Sequence, residues 1–277
     1  MRLIIWRFPP RAPVARQHSV FHSRSLRLAI VHFPLRLVGS RMLAPTVRHL
    51  AFARDDGQPL DFIPGQFVQV HFNYPDGTAT KRSYSLATMH DHAMAPGEAI
   101  EIAVSYVAGG AATALFEALD EGQQIQASGP YGRFCLVPAD ANKRYLLIGT
   151  GTGVTPYRAM LPQLHALMQS RGVEVVLLFG ARTPAELIYG EDFRAFAEGH
   201  PGFRFVPCFS RELPENPHPD VRKGYVQDIL AEFAPDGEGD IAYLCGNPNM
   251  VDAAFEALKA AGLPVPHIRR EKYVSSK

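Results

Sequence analysis

Along the first half of the chain, apolar and polar positions alternate with a period of two. Val68, Val70 and Phe72 share one face of the segment 67–72, with Gln69 and His71 on the other. Ile100, Ile102, Val104 and Tyr106 repeat the pattern against Glu101, Ala103 and Ser105. Two earlier strands are predicted over 36–42 and 47–52, and Pro64-Gly65 marks a turn. Short strands punctuated by Gly and Pro predict a small antiparallel β-barrel over residues 35–138. One helix, over 112–119, is expected directly after Gly109-Gly110.

From Lys143 the period changes. Apolar runs at 145–148, 173–179, 203–209 and 241–245 alternate with helical stretches at 156–170, 190–198, 225–233 and 249–261, the last stopped by Gly262. Apolar strands separated by helices predict a doubly wound parallel sheet covered on both faces, an α/β domain over residues 143–277. The boundary is expected in Pro138-Ala139-Asp140-Ala141-Asn142-Lys143. The length of 277 residues agrees with two domains.

Composition changes this picture at one end only. The chain is 47% hydrophobic and 20% charged, which excludes a wholly disordered protein. Its net charge of +1 hides an asymmetry: residues 1–54 hold ten arginines and no Asp, Glu or Lys, so the remainder carries −9. An Arg-rich, acid-free start suits a transit peptide, a nucleic-acid arm or a membrane-surface segment, and equally a non-native extension. Residues 1–33 show no clean period and no three-part secretory signal, and are read as an extension outside the fold. The three cysteines, Cys135, Cys208 and Cys245, are far apart, too few for a four-cysteine iron–sulfur cluster and unsuited to a disulfide framework. No metal site is expected. No apolar run reaches the ~18 residues of a membrane span.

Four motifs carry chemistry. Arg82-Ser83-Tyr84-Ser85 closes a barrel strand: an arginine there can grip a phosphate, an aromatic can lie on a planar ring, and a serine can reach a ring nitrogen. An edge strand with a surface arginine would look the same. Gly109-Gly110-Ala111-Ala112-Thr113 opens a helix, where backbone N–H groups can meet an anion, or simply turn the chain. Gly149-Thr150-Gly151-Thr152-Gly153-Val154-Thr155-Pro156 lies between the first strand and first helix of the second domain, where doubly wound sheets bind pyrophosphate. It departs from G-x-G-x-x-G and lacks the lysine of a P-loop. Leu244-Cys245-Gly246-Asn247-Pro248 occupies a second strand end of the same sheet. Cys245 has no local basic partner and is not expected to be a nucleophile.

In this order, the four motifs resemble the ferredoxin–NADP⁺ reductase family, over about residues 35–273. Pro64-Gly65-Gln66, Gly129-Pro130-Tyr131-Gly132, Phe179-Gly180-Ala181-Arg182, Ser210-Arg211-Glu212 and Glu271-Lys272-Tyr273 add to the likeness. The resemblance implies FAD and NADPH as cofactors. Arg82, Ser83, Tyr84 and Ser85 match the flavin phosphate, ring-stacking and isoalloxazine contacts. Gly109, Gly110, Ala111, Ala112 and Thr113 match the flavin pyrophosphate segment. Gly151, Thr152 and Gly153 match the nicotinamide-nucleotide pyrophosphate site. Cys245 and Gly246 match positions beside the nicotinamide, Glu271 a carboxylate near the flavin, and Tyr273 the aromatic that covers its other face. Ser85, Cys245, Glu271 and Tyr273 are thus the catalytic candidates. Arg182, Ser210 and Arg211 match the nucleotide-selecting region. An arginine suits a 2′-phosphate, and Tyr225 matches a position that stacks on adenine.

The resemblance implies hydride uptake from NADPH and single-electron exchange with a separate ferredoxin or flavodoxin, since no cluster domain is expected on this chain. Val274-Ser275-Ser276-Lys277 departs from relatives that end at the aromatic. The expected protein is a cytoplasmic monomer, without nucleic-acid partner or stable membrane insertion. Two other readings are an NADH-dependent reductase component of an oxygenase and a non-enzymatic, nucleotide-binding redox sensor.

Overall fold

A computed structural model describes residues 32–274. Residues 1–31, with nearly all of the expected extension, and Ser275–Lys277 lie outside the described residues. Six strands build the first sheet: β1 (His32–Ala44), β2 (Val47–Arg54), β3 (Phe67–Asn73), β4 (Ala79–Ser85), β5 (Ile100–Ser105) and β6 (Gln124–Tyr131), in the order β4-β3-β6-β1-β2-β5. Every pairing is antiparallel. Beyond β4, a bridge between Leu86 and Ile102 joins the two outer strands and closes the barrel. The alternation read from the sequence is the inside and outside of this wall: Val68, Val70, Ile100, Ile102 and Val104 are core, while Gln69, His71, Glu101 and Ser105 are not.

Two differences from the sequence reading have physical causes. β1 begins at His32, and Phe33, 1% exposed, packs in the core while pairing with Ala127. These two residues therefore belong to the barrel rather than to the extension, because β6 supplies a partner that local sequence does not reveal. β6 itself reads poorly as a strand, since only Ile125 and Ala127 alternate as apolar core before the Ser128-Gly129-Pro130 run. Helix α1 spans Ala111–Glu117, one residue earlier than expected and shorter at its end. The Arg48 guanidinium fixes that end, donating to the carbonyls of Phe116 (2.5 Å) and Leu119 (3.2 Å). A cation there meets orphan carbonyls and the negative end of the helix dipole.

The second sheet is parallel throughout: β7 (Arg144–Thr150), β8 (Glu174–Ala181), β9 (Phe203–Phe209), β10 (Arg222–Lys223), β11 (Asp240–Gly246) and β12 (Ile268–Lys272), ordered β10-β9-β8-β7-β11-β12. Helices α2 (Thr155–Arg171), α3 (Gly190–Gly199), α4 (Val226–Ile229) and α5 (Pro248–Ala260) cover it. The apolar runs are buried on both faces, as central parallel strands require. The helix expected over 225–233 is shorter: Tyr225 is extended (φ −92°, ψ 148°), and a 3₁₀ turn replaces the α-helix from Leu230. The two-residue β10 and charge-rich β12 (Ile268-Arg269-Arg270-Glu271-Lys272) give no apolar run, so neither is legible before the fold is known.

The halves are packed, not merely tethered. One apolar cluster includes Val47, Ala87 and Ala103 of the barrel with Tyr157, Met160 and Leu161 of α2. Phe134, on the connecting segment, meets the rings of Tyr157 (6.1 Å) and Tyr243 (5.3 Å). No described helix is long and apolar enough to cross a membrane.

Candidate active site

The C-terminal ends of β7 and β11 are adjacent, and their loops interlock through missing side chains. A Cβ on Gly153 would lie 2.3 Å from the Cys245 carbonyl oxygen and 2.6 Å from Gly246 Cα. Gly246 has φ +125°, and a Cβ there would meet the Thr150 carbonyl at 2.6 Å. Thr150 Oγ1 accepts from Asn247 N (3.1 Å), and the Asn247 side chain caps α5 by accepting from Asn249 N at 2.9 Å. Gly151 differs from these: it is left-handed (φ +54°), with open space where a Cβ would project. The switch point of the doubly wound sheet thus presents backbone rather than side chains.

Four predicted residues converge beside it. Glu271 stands opposite Cys245 in the β11–β12 register. Tyr273 N donates to the Gly246 carbonyl (2.8 Å), and its hydroxyl lies 2.5 Å from Ser85 Oγ, at the end of β4 in the other domain. The Cys245 thiol and the Tyr273 hydroxyl also interact, and burial pushes both well above their usual ranges. Both are therefore neutral at physiological pH. Burial raises the Glu271 carboxyl to about 7, so this acid takes up or loses a proton near neutrality. Val274 beyond Tyr273 is exposed.

On the barrel, Arg82 and Tyr84 share a face of β4, as i and i+2 must. Arg82 donates to Tyr74 Oη (2.8 Å) and Thr80 Oγ1 (2.9 Å). It has no carboxylate partner among the described residues. Tyr84 meets Phe116 of α1 edge-on (5.3 Å, 87°), so the helix opened by Gly110 packs on the strand that carries Arg82. Ser83 points to the exposed face. Gly109 is left-handed (φ +72°) with no atom where a Cβ would project, and Thr113 Oγ1 accepts from Val107 N (2.8 Å). The first helical bond runs from Ala114 N to the Gly110 carbonyl, which leaves the N–H groups of Ala111, Ala112 and Thr113 outside the helix ladder.

Farther along the parallel sheet, Ser210 N donates to Ala181 O (3.1 Å) and Arg211 N to Arg182 O (2.9 Å), which gathers the ends of β8 and β9. Gly224 N donates to Phe209 O (2.9 Å), bringing Tyr225, 60% exposed, to the same edge. Arg182 is held by Glu186 through contacts of 2.8 and 2.6 Å, whereas the Arg211 guanidinium has no carboxylate partner among the described residues. Sequence reasoning missed Glu186 and Tyr74. The four-residue spacing from Arg182 was a usable signal for the first; the second needs the β3–β4 register.

Of two surface cavities, one of about 310 Å³ lies beside His200, and one of about 360 Å³ is lined by Pro184, Leu187, Arg194 and Phe209, next to the strand ends that carry Arg182 and Ser210. Among the described residues no cluster of three or more metal-ligating side chains occurs.

Comparison with known proteins decides the family. Residues 34–135 match the oxidoreductase FAD-binding domain, and residues 147–256 the oxidoreductase NAD-binding domain. The chain belongs to the ferredoxin reductase family. It is 38% identical to the reductase subunit of an aromatic O-demethylase from Amycolatopsis, over 84% of this chain and 70% of that protein. It is 34% identical to ferredoxin–NADP reductase B of Sorangium cellulosum, over 87% of this chain and 97% of that protein. The crystal structure of the Amycolatopsis cytochrome P450 reductase GcoB superimposes with a TM-score of 0.75 at 34% identity, covering 88% of this chain and 70% of that one. This member of the ferredoxin reductase family is a FAD- and NAD(P)-dependent electron-transfer oxidoreductase. Its residues fit the two cofactors: an uncompensated, pre-positioned arginine beside an aromatic on β4, and an open, left-handed glycine at each expected pyrophosphate turn.

Proposed function

We propose that this protein takes electron pairs from NADPH and delivers single electrons to a ferredoxin or flavodoxin, or runs the reverse exchange. FAD, when bound, supplies that chemistry by accepting a hydride and releasing electrons singly. The observation that carries the reading is the 2.5 Å Ser85–Tyr273 contact, which brings the exit of β4 to Cys245 and Glu271 across the domain junction.

In this reading Arg82 grips a flavin phosphate, Tyr84 stacks on the ring system, and the peptide N–H groups of Ala111, Ala112 and Thr113 face the flavin pyrophosphate. Thr152 and the Gly151–Gly153 loop hold the pyrophosphate of the nicotinamide nucleotide. Arg211 and Ser210 take the 2′-phosphate, and Tyr225 stacks on adenine. Tyr273 covers the flavin and gives up its Ser85 contact when the nicotinamide enters. Buried Cys245 keeps water from that face, and Glu271 holds or releases a proton beside it near neutral pH. The preference for NADPH rests on Arg211, which no carboxylate engages among the described residues, since Arg pairs with phosphate at two points.

A second reading is an NADH-dependent reductase component of an oxygenase. The likeness to the Amycolatopsis reductase subunit favours it, as does the Glu186 carboxylate that already engages Arg182. Steady-state kinetics with both nucleotides, coupled to cytochrome c through added ferredoxin, separates the two. A higher kcat/KM with NADPH and ferredoxin-dependent reduction support the first reading. An NADH preference overturns the first reading and supports the second.

A further inference from the structure

The segment just beyond Ser85 and the helix that follows the Gly151–Gly153 loop are joined by one buried guanidinium. Arg158, 7% exposed, sits on α2 three residues beyond Thr155. Its Nη1 donates to the Ala87 carbonyl (2.6 Å) and to Glu101 Oε2 (2.6 Å), both on the barrel. Its Nε donates to Asp192 Oδ2 (2.6 Å) of α3, and its guanidinium lies 4.8 Å from the Tyr189 ring centroid. Tyr189 Oη in turn lies 2.9 Å from Nδ1 of buried His49 on β2, and His49 Nε2 lies 3.6 Å from Glu101 Oε1. The ring of contacts therefore crosses the junction twice.

Its place matters as much as its strength. Ala87 follows Ser85 by two residues, and Ala87 N donates to the Glu101 backbone carbonyl (2.7 Å), next to the Leu86–Ile102 bridge that closes the barrel. Arg158 thus grips the closing seam. Tyr189 holds a left-handed φ of 55° without being glycine, a conformation that persists only where surroundings over-determine it. Burial alone would raise the Glu101 carboxyl. The His49 and Arg158 contacts overcome this and hold it at about 2, so the pair stays charged across the physiological range.

We propose that Arg158 is a positioning residue that sets the distance between the nicotinamide loop of α2 and the flavin strand β4. The inference rests on the site reading above. Hydride transfer needs donor and acceptor within ~3–3.5 Å, and a 1 Å displacement costs on the order of 100-fold in rate. A guanidinium that spans both domains is a direct means to hold such a distance.

The test compares holoenzyme carrying Arg158→Gln, Arg158→Lys or Glu101→Gln with the unaltered protein. Expected for Arg158→Gln are FAD content and 2′,5′-ADP affinity within about twofold, and a single-turnover flavin reduction rate roughly 30-fold lower. KM should stay nearly constant. Arg158→Lys should recover part of the rate, because it restores the charge without the fork. Amide hydrogen exchange should quicken both at 86–88 and at 154–158. If Arg158→Gln does not fold, Glu101→Gln carries the same expectation with a several-fold smaller rate effect. A normal reduction rate per bound flavin, or faster exchange on one side of the junction only, overturns the proposal. Failure of the site reading shows separately, as an unaltered protein whose flavin NADPH and NADH do not reduce.

Discussion

The two domains of this flavin-family oxidoreductase prepare their sites by opposite means. The barrel uses side chains fixed in advance: Arg82 is tied to Tyr74 and Thr80, and Tyr84 is set against Phe116. The parallel domain uses backbone made accessible by missing side chains, with Gly153 and Gly246 interlocked so closely that a methyl group has no room at either. The difference follows from topology. An antiparallel wall presents alternate side chains to a ligand, whereas the ends of parallel strands present loops and helix starts. Substitution should therefore act differently on the two sides: removing a side chain disables the barrel site, and adding one disables the other.

The sharpest break of this contrast is Gly153→Ala. The added Cβ would meet the Cys245 carbonyl, a backbone atom that cannot step aside, so the two loops must separate. Reduction of the flavin by NADPH should fall about 100-fold, with FAD content unchanged. Loss of FAD instead would mean that the domains do not divide the work in this way. Arg82→Ala is the converse: flavin affinity should weaken roughly 10- to 100-fold, the worth of a charge-assisted contact, while nucleotide affinity holds. Equilibrium dialysis of FAD reads it directly. Arg211→Ala should raise KM for NADPH about tenfold and leave NADH unaffected; equal changes for both would remove the 2′-phosphate role.

The smallest effect concerns pH. Burial lifts Glu271 from an ordinary 4.5 to about 7, so the folded protein binds that proton more tightly than the unfolded chain. Its contribution to stability is greatest below pH 4.5, declines as the pH rises to about 7, and is flat above. Glu271→Gln should remove that downward slope of Tm across the window, each kcal/mol being worth about 2–4 °C for a chain this size. An identical slope in the variant would place the titration elsewhere.

Much of this was legible before the fold was known, and the pattern of what was not is informative. The strand 203–209 coincides with β9, and helices α2, α3 and α5 lie within two residues of their expected spans, because long apolar runs and helical periods are local signals. The convergence of Ser85, Cys245, Glu271 and Tyr273 was implied by resemblance alone; 188 residues separate Ser85 from Tyr273. β12 was invisible as a strand because its residues are mostly charged, and it is held in the sheet by pairing with β11. The Arg158 network was missed for a related reason. An isolated arginine on a helix and a glutamate on a half-polar strand each read as solvated charges until the domains are docked.

The central claim is that electrons enter at the junction marked by Ser85, Cys245, Glu271 and Tyr273. The most direct measurement is the absorbance of the purified, FAD-reconstituted protein during anaerobic addition of a stoichiometric amount of NADPH. The account predicts a flavin band at about 450 nm that bleaches completely, and bleaches more readily with NADH once Tyr273→Ser uncovers the ring. Protein that binds no flavin, or a flavin band that neither nucleotide bleaches, would contradict it.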